Sequence, residues 1–157
     1  MRRYRISGIP DPLAQTVRST LRSPQYGHPA HVETATGYGP CRQCLRTFRE
    51  GSDERILFTY QPFASPALPA PGPVFIHRDS CPSYDGEDFP EELRSIPLVI
   101  ESYDARGTLL EQHRPGETPI DQVLDERVAD CRVDYLHLRN AEAGCFIARV
   151  QPVVSGD

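Results

Sequence analysis

Val133-Asp-Tyr-Leu-His-Leu-Arg139, followed by Asn140-Ala-Glu-Ala-Gly144 and Cys145-Phe-Ile-Ala-Arg-Val-Gln151, is the stretch whose reading decides the fold. Two runs of alternating side chains flank a connection that ends in a glycine able to take positive φ, which is the pattern of an antiparallel hairpin. Strand geometry sets Tyr135, His137 and Arg139 on one face and Leu136 and Leu138 on the other. In a regular hairpin Arg139 stands opposite Cys145, and His137 opposite Ile147. Leu136 and Leu138 then face a core, while His137 and Arg139 face away from it or into a pocket.

Working outward, Ile96–Tyr103 and Thr108–His113 flank the turn Asp104-Ala-Arg-Gly107 and read as a second hairpin. Between the hairpins, Thr118 and Pro119 open a helix with Asp121 in a capping-box-like position, and Ile120, Val123, Leu124, Val128 and Cys131 form its apolar stripe. Further back, Arg55–Tyr60 and Val74–His77 are short β-prone runs. The proline-rich Gln61–Pro73 joins them as a long connection of the kind that often carries function. Ser23–Pro40 is mostly loop, with His31–Thr36 as a strand. Near the start, Arg3–Ser7 is an edge strand, and Asp11-Pro12 caps a helix whose apolar face is Leu13, Val17 and Leu21. The expected architecture is α+β: a predominantly antiparallel β-sheet with two or three short helices, residues 1–157 forming a single domain.

Composition narrows the function. A chain of 157 residues with 38% hydrophobic and 25% charged residues is long enough to bury a core without a metal or disulfide. A net charge of -5 gives no basic face for nucleic acid. All 17 basic residues are arginine, whose planar forks suit carboxylates and phosphates, so a small anionic ligand is allowed. No apolar run reaches the ~18 residues of a membrane span, and no signal-peptide pattern opens the chain. The expected compartment is therefore the cytoplasm, where the 5 cysteines read as free thiols, metal ligands or redox groups.

Pro40–Leu45 (PCRQCL), Gly72–His77 (GPVFIH) and Asp134–Cys145 (DYLHLRNAEAGC), in that order, resemble the bacterial family known as domain of unknown function 1203. The resemblance runs over nearly the whole chain, from the Tyr4–Gly8 opening to the last strand. It implies a shared fold and carries no activity with it.

Two constellations are chemically suggestive. Cys41 and Cys44 form C-x-x-C, and His77 and Cys81 form H-x-x-x-C. Together they offer the Cys₃His shell that Zn²⁺ takes in structural sites, the alternatives being a redox pair at Cys41/Cys44 or cysteines that only pack. In the C-terminal hairpin, His137 could move a proton, Arg139 clamp a carboxylate or phosphate and Cys145 act as nucleophile, with Tyr60, Ser65, His77 and Arg106 as supporting groups. The bland alternative is a solvated sheet face beside a buried Cys145. No P-loop, dinucleotide, zincin or serine-hydrolase motif occurs. The leading expectation is a small-ligand-binding protein or cofactor-free enzyme using the hairpin residues, and its rivals are a zinc-stabilised non-enzymatic domain and a thiol redox protein.

Overall fold

A computed structural model of the chain describes residues 3–37, 39–63 and 72–153. These gather into two compact units, one formed by Met1–Ser7 with Asp85–Asp157 and the other by Gly8–Tyr84. The architecture is α+β and mostly antiparallel, with two α-helices and one 3₁₀ turn among the described residues. No described helix is long and apolar enough to cross a membrane.

The first unit is built on a six-stranded sheet. Its strands are β1 (Arg3–Ser7), β5 (Asp85–Gly86), β6 (Leu98–Tyr103), β7 (Leu109–His113), β8 (Tyr135–Asn140) and β9 (Phe146–Val153). Their order across the sheet is β5-β1-β9-β8-β6-β7, every neighbour antiparallel. Helix α2 (Ile120–Ala129) packs against β1 and buries Val123, Leu124 and Val128. Register places Ile6, Val150 and Leu136 in one row and Ala148, Leu138 and Ile100 in the next, and all six are fully buried. Leu136 and Leu138 are thus core residues, as the alternation predicts.

The opposite face of β8 differs from expectation. His137 is also fully buried, so the central strand is covered on both sides. The hairpin register differs too: Arg139 pairs with Phe146 and His137 with Arg149, because a bulge interrupts the ladder after Leu138. The loop chemistry explains the slip. Asn140 Oδ1 accepts from the N–H groups of Glu142 and Ala143, Gly144 takes φ 78°, and the Asn140 N–H donates to the Cys145 carbonyl at 2.9 Å. Asn140 and Cys145 therefore close the loop, and every pairing behind them moves by at least one residue.

The second unit carries helix α1 (Asp11–Thr20) and a three-stranded sheet, β2 (His31–Thr34), β3 (Glu54–Tyr60) and β4 (Gly72–His77), with β3 central. Ala14 and Val17 of α1 join Ile56, Phe58, Val74, Ile76, Phe48, Cys41 and Cys44 in one buried cluster. Pro10, one residue earlier than expected, is the N-cap of α1. Leu21 closes the helix in the left-handed region at φ 52° and is exposed rather than part of its apolar face. Two further expectations give way at α2. Asp121 pairs with Arg94 instead of capping, and Cys131 lies beyond the helix end and is exposed, because the turn after Ala129 carries it off the stripe.

Leu138 is fully buried and stands between Ile100 of β6 and Ala148 of β9. Leu138→Ala should cost about 2 to 5 kcal/mol of unfolding free energy, read as a lower urea midpoint with unchanged m-value.

Candidate metal centre

The C-x-x-C segment leaves an isolated bridge between Pro40 and Thr47 and folds into a tight turn. Leu45 N–H donates to the Cys41 carbonyl at 2.9 Å, and Cys41 N–H to the Arg46 carbonyl at 2.9 Å. Leu45, fully buried, adopts φ 62°, a left-handed conformation costing a branched residue roughly 1–2 kcal/mol. Its burial holds it there.

This turn is fixed against its surroundings by backbone. Arg42 N–H donates to the Phe75 carbonyl of β4 at 2.9 Å, and the Arg42 and Gln43 carbonyls accept from Ile9 at 2.7 Å and Tyr84 at 2.8 Å. Gly8 packs so closely that a Cβ there would lie 2.2 Å from the Gln43 carbonyl oxygen. Only glycine fits that approach.

β4 ends at His77, beside the turn. The His77 N–H donates to Cys41 Sγ at 3.3 Å, and His77 Nδ1 lies 3.5 Å from Cys44 Sγ. The loop after β4 returns Cys81, whose Sγ is 3.8 Å from Cys41 Sγ. One ligand atom from each of Cys41, Cys44, His77 and Cys81 falls within 4.8 Å of the others. Around a tetrahedral zinc, with Zn–S ≈ 2.3 Å and Zn–N ≈ 2.0 Å, sulfur atoms stand about 3.8 Å apart and sulfur and nitrogen about 3.5 Å. The Cys41–Cys81 and Cys44–His77 contacts already have those lengths, and no pair of ligand atoms is more than 4.8 Å apart.

Behind the histidine stands a carboxylate. His77 Nε2 is 3.5 Å from Asp53 Oδ2, which also accepts from the Arg49 N–H at 2.8 Å. That arrangement leaves Nδ1 free to face the sulfurs, as in a carboxylate–histidine–metal triad. The His77 ring packs edge-on against Phe48, centroids 4.7 Å apart. Its hydrogen bond to Cys44 raises the His77 pKa against the opposing effect of burial, with the Cys44 and Asp53 charges adding to the rise. The Arg49 N–H leads in holding the Asp53 carboxyl below its usual range. Burial opposes ionisation of Cys41, yet hydrogen bonds from Cys44, Cys81 and the backbone bring that thiol down to about 3. The Cys81 thiol is driven upward by its contacts with Cys41 and Cys44.

The remaining expected residues are distributed differently. His137 is packed among Tyr103, Tyr135 and Phe146, ring centroids 4.9 to 5.2 Å away. Its cross-strand neighbours are Glu101 and Arg149. Arg139 pairs with the buried Glu101, which also accepts from the Tyr103 hydroxyl at 2.9 Å and from Gln112 at 2.7 Å. Cys145 is partly exposed, its Sγ 3.9 Å from the Ala143 carbonyl. Tyr60 ends β3, half-buried, its ring 6.2 Å from Phe58. Arg106 lies exposed in the β6–β7 turn, its N–H donating to Asp104 Oδ1 at 2.9 Å. Ser65 lies outside the described residues. A cleft of about 550 Å³ between the 3₁₀ turn Glu91–Ser95 and the start of α2 presents Arg94 and Arg114 beside Phe89, Leu93, Ile96 and Ile120, and none of His137, Arg139 and Cys145 lines it.

Asp53 and Glu101 are the participants that sequence reading missed. A glutamate in the middle of an apolar strand run, Leu98–Tyr103, is a visible signal for Glu101. Nothing local marks Asp53.

The fold and the cluster define an antiparallel α+β protein with a Cys₃His set able to hold a metal ion. Residues 38–151 match the family described as "Protein of unknown function (DUF1203)", and the chain belongs to it. No curated protein and no solved structure matches the chain.

Burial, reinforced by Arg139 and Arg149, lowers the His137 pKa from 6.5 to about 3. The imidazole is therefore neutral in the fold and becomes charged in the unfolded chain below pH 6.5. Its contribution to stability is complete above that pH and is lost as pH falls toward 3, at up to about 1.4 kcal/mol per unit. Glu101, Arg139, Arg149, Tyr103 and Tyr135 face it and remain in place in His137→Phe. Urea unfolding at pH 7, 5.5 and 4.5 should show a shallower acid loss for that variant than for wild type, and parallel curves would remove His137 from the acid limb.

Proposed function

We propose that this protein is a zinc-stabilised, non-enzymatic domain, with Cys41, Cys44, His77 and Cys81 as the ligands. The observation that carries the proposal is the convergence of four ligand atoms within 4.8 Å from the C-x-x-C turn, the end of β4 and the following loop. The donor set is soft and closed, with three thiols and one imidazole. Zinc takes such shells in structural sites, where four protein ligands leave no open position for substrate. The Asp53 carboxylate orients the histidine, and the backbone donation from His77 to Cys41 Sγ suits a thiolate. A reducing cytoplasm keeps the thiols available.

A redox pair at Cys41/Cys44 leaves His77 and Cys81 without a part, so zinc accounts for more of the geometry. For the hairpin residues, the neutral buried His137 and the Arg139–Glu101 pair favour a buried polar network over a substrate site. Should a small anionic ligand bind, the cleft with Arg114 is the better place to look for it.

Purified protein should carry close to one zinc per chain by elemental analysis. Cys44→Ser should drop that below about a tenth. Because binding energy at such sites is folding energy, chelation should lower the thermal midpoint by about 10 °C. Protein expressed with ample zinc that retains none, and whose unfolding ignores chelator, would rule the metal centre out.

A further inference from the structure

We infer that Arg18, on the last turn of α1, is the outer guanidinium of this centre: it neutralises the bound metal's thiolate shell and holds Cys81 as a ligand. The inference rests on the zinc assignment above. Three thiolates, a neutral imidazole and a divalent ion sum to one negative charge. Cys41 and Cys44 are buried, so that charge lies largely out of water and needs a cation close by.

Arg18 is that cation. Its Nη2 lies 3.5 Å from Cys81 Sγ and 2.7 Å from Gln43 Oε1, and its Nε donates to the His77 carbonyl at 3.1 Å. One side chain thus touches two of the four ligand residues. Its orientation is set by Gln43, which is fully buried. The Gln43 amide nitrogen donates to Asp11 Oδ1 at 2.9 Å and Ser83 Oγ at 3.1 Å. A carboxylate only accepts, so the amide oxygen has to face Arg18. In the metal-free protein the Cys81 thiol can donate to that same oxygen, at 3.5 Å. Once the thiol gives up its proton to bind metal, Sγ becomes an acceptor and Arg18 Nη2 is the donor already beside it.

Two further features show that Arg18 is not there for the helix alone. A basic residue in the last turn of a helix complements the dipole, and it can do so while fully solvated. Arg18 instead has Nη1 buried, with no hydrogen-bond partner, and it forms no ion pair with a carboxylate among the described residues. A guanidinium placed this way without a counter-charge is unfavourable, and the anionic zinc–thiolate shell supplies one. The hydrogen bond to Sγ also draws electron density from the most exposed of the three sulfurs, so it should slow attack by electrophiles there.

The test compares zinc-loaded wild type, Arg18→Lys and Arg18→Gln, using a chromophoric chelator to measure zinc affinity and iodoacetamide to measure Cys81 alkylation. Loss of an outer partner typically weakens metal affinity 10- to 100-fold. The glutamine variant, which keeps a donor and loses the charge, should bind zinc about tenfold more weakly and alkylate at Cys81 several-fold faster, and the lysine variant should recover most of both. Equal affinity in all three, or equal weakening by Lys and Gln, overturns the inference. For the case in which neither variant folds, the wild type decides. The Arg18 side-chain N–H signals in ¹⁵N NMR should be individually resolved and slow to exchange with zinc, and should collapse when zinc is chelated; signals indifferent to zinc overturn the inference. Wild type that binds no zinc at all refutes the metal centre itself, a result distinct from any of these.

Discussion

The hydrogen bond from Arg42 N–H to the Phe75 carbonyl, together with that from His77 N–H to Cys41 Sγ, ties a tight turn to the side of a strand, and the arrangement of the Gly8–Tyr84 unit follows from that tie. It brings residues over thirty positions apart in sequence to within a few ångströms, with β3 formed by the intervening chain. The turn cannot shift without breaking backbone bonds on both flanks, since Ile9 and Tyr84 donate to its two central carbonyls. Its cysteines are consequently held as rigidly as the core they border. A metal bound there would act on a site largely organised beforehand. Ligand geometry is then inherited from the sheet rather than imposed by the ion.

The sheet of the other unit solves a different problem. Its central strand β8 is buried on both faces, one lined by aliphatic residues and the other by Glu101, His137, Arg139 and their aromatic neighbours. Buried charge is tolerated there because it is shared: Glu101 takes hydrogen bonds from Tyr103, Gln112 and Arg139. Such a network adds little net stability compared with an apolar packing of equal volume, yet removing one member leaves its partners exposed to the full desolvation cost. Polar residues on an alternating strand are usually taken for a solvated face or a site. Here they form a second interior.

These two features also show why some chemistry was legible and some was not. The C-x-x-C and H-x-x-x-C spacings could be recognised because a metal requires several donors from few elements, and near-neighbour pairs are the economical way to supply them. Arg18, Gln43 and Asp53 carried no comparable mark. Arg18 and Asp53 come from segments with no local relation to the cysteines, and a helix-terminal arginine or a loop aspartate is ordinary in any surface; Gln43 stands inside the C-x-x-C run, but nothing local says that its amide meets Arg18. The His137–Arg139–Cys145 constellation was read on an ideal register, which the Asn140 loop does not permit.

What the sequence determined by itself was the set of local elements: the two hairpins, the helices at Asp11 and Ile120, the strands around Ile56 and Phe75, and the identity of four residues able to share a metal. Period-two and helical patterns, turn residues and proline positions act over a few residues, and they are written where they act. Tertiary structure alone decided the burial of His137, the exposure of Cys131, and the approach of Arg18 and Asp53 to the cysteine cluster. Each depends on which distant segment lies alongside, and a shift of a single residue in strand pairing exchanges the faces of every side chain that follows.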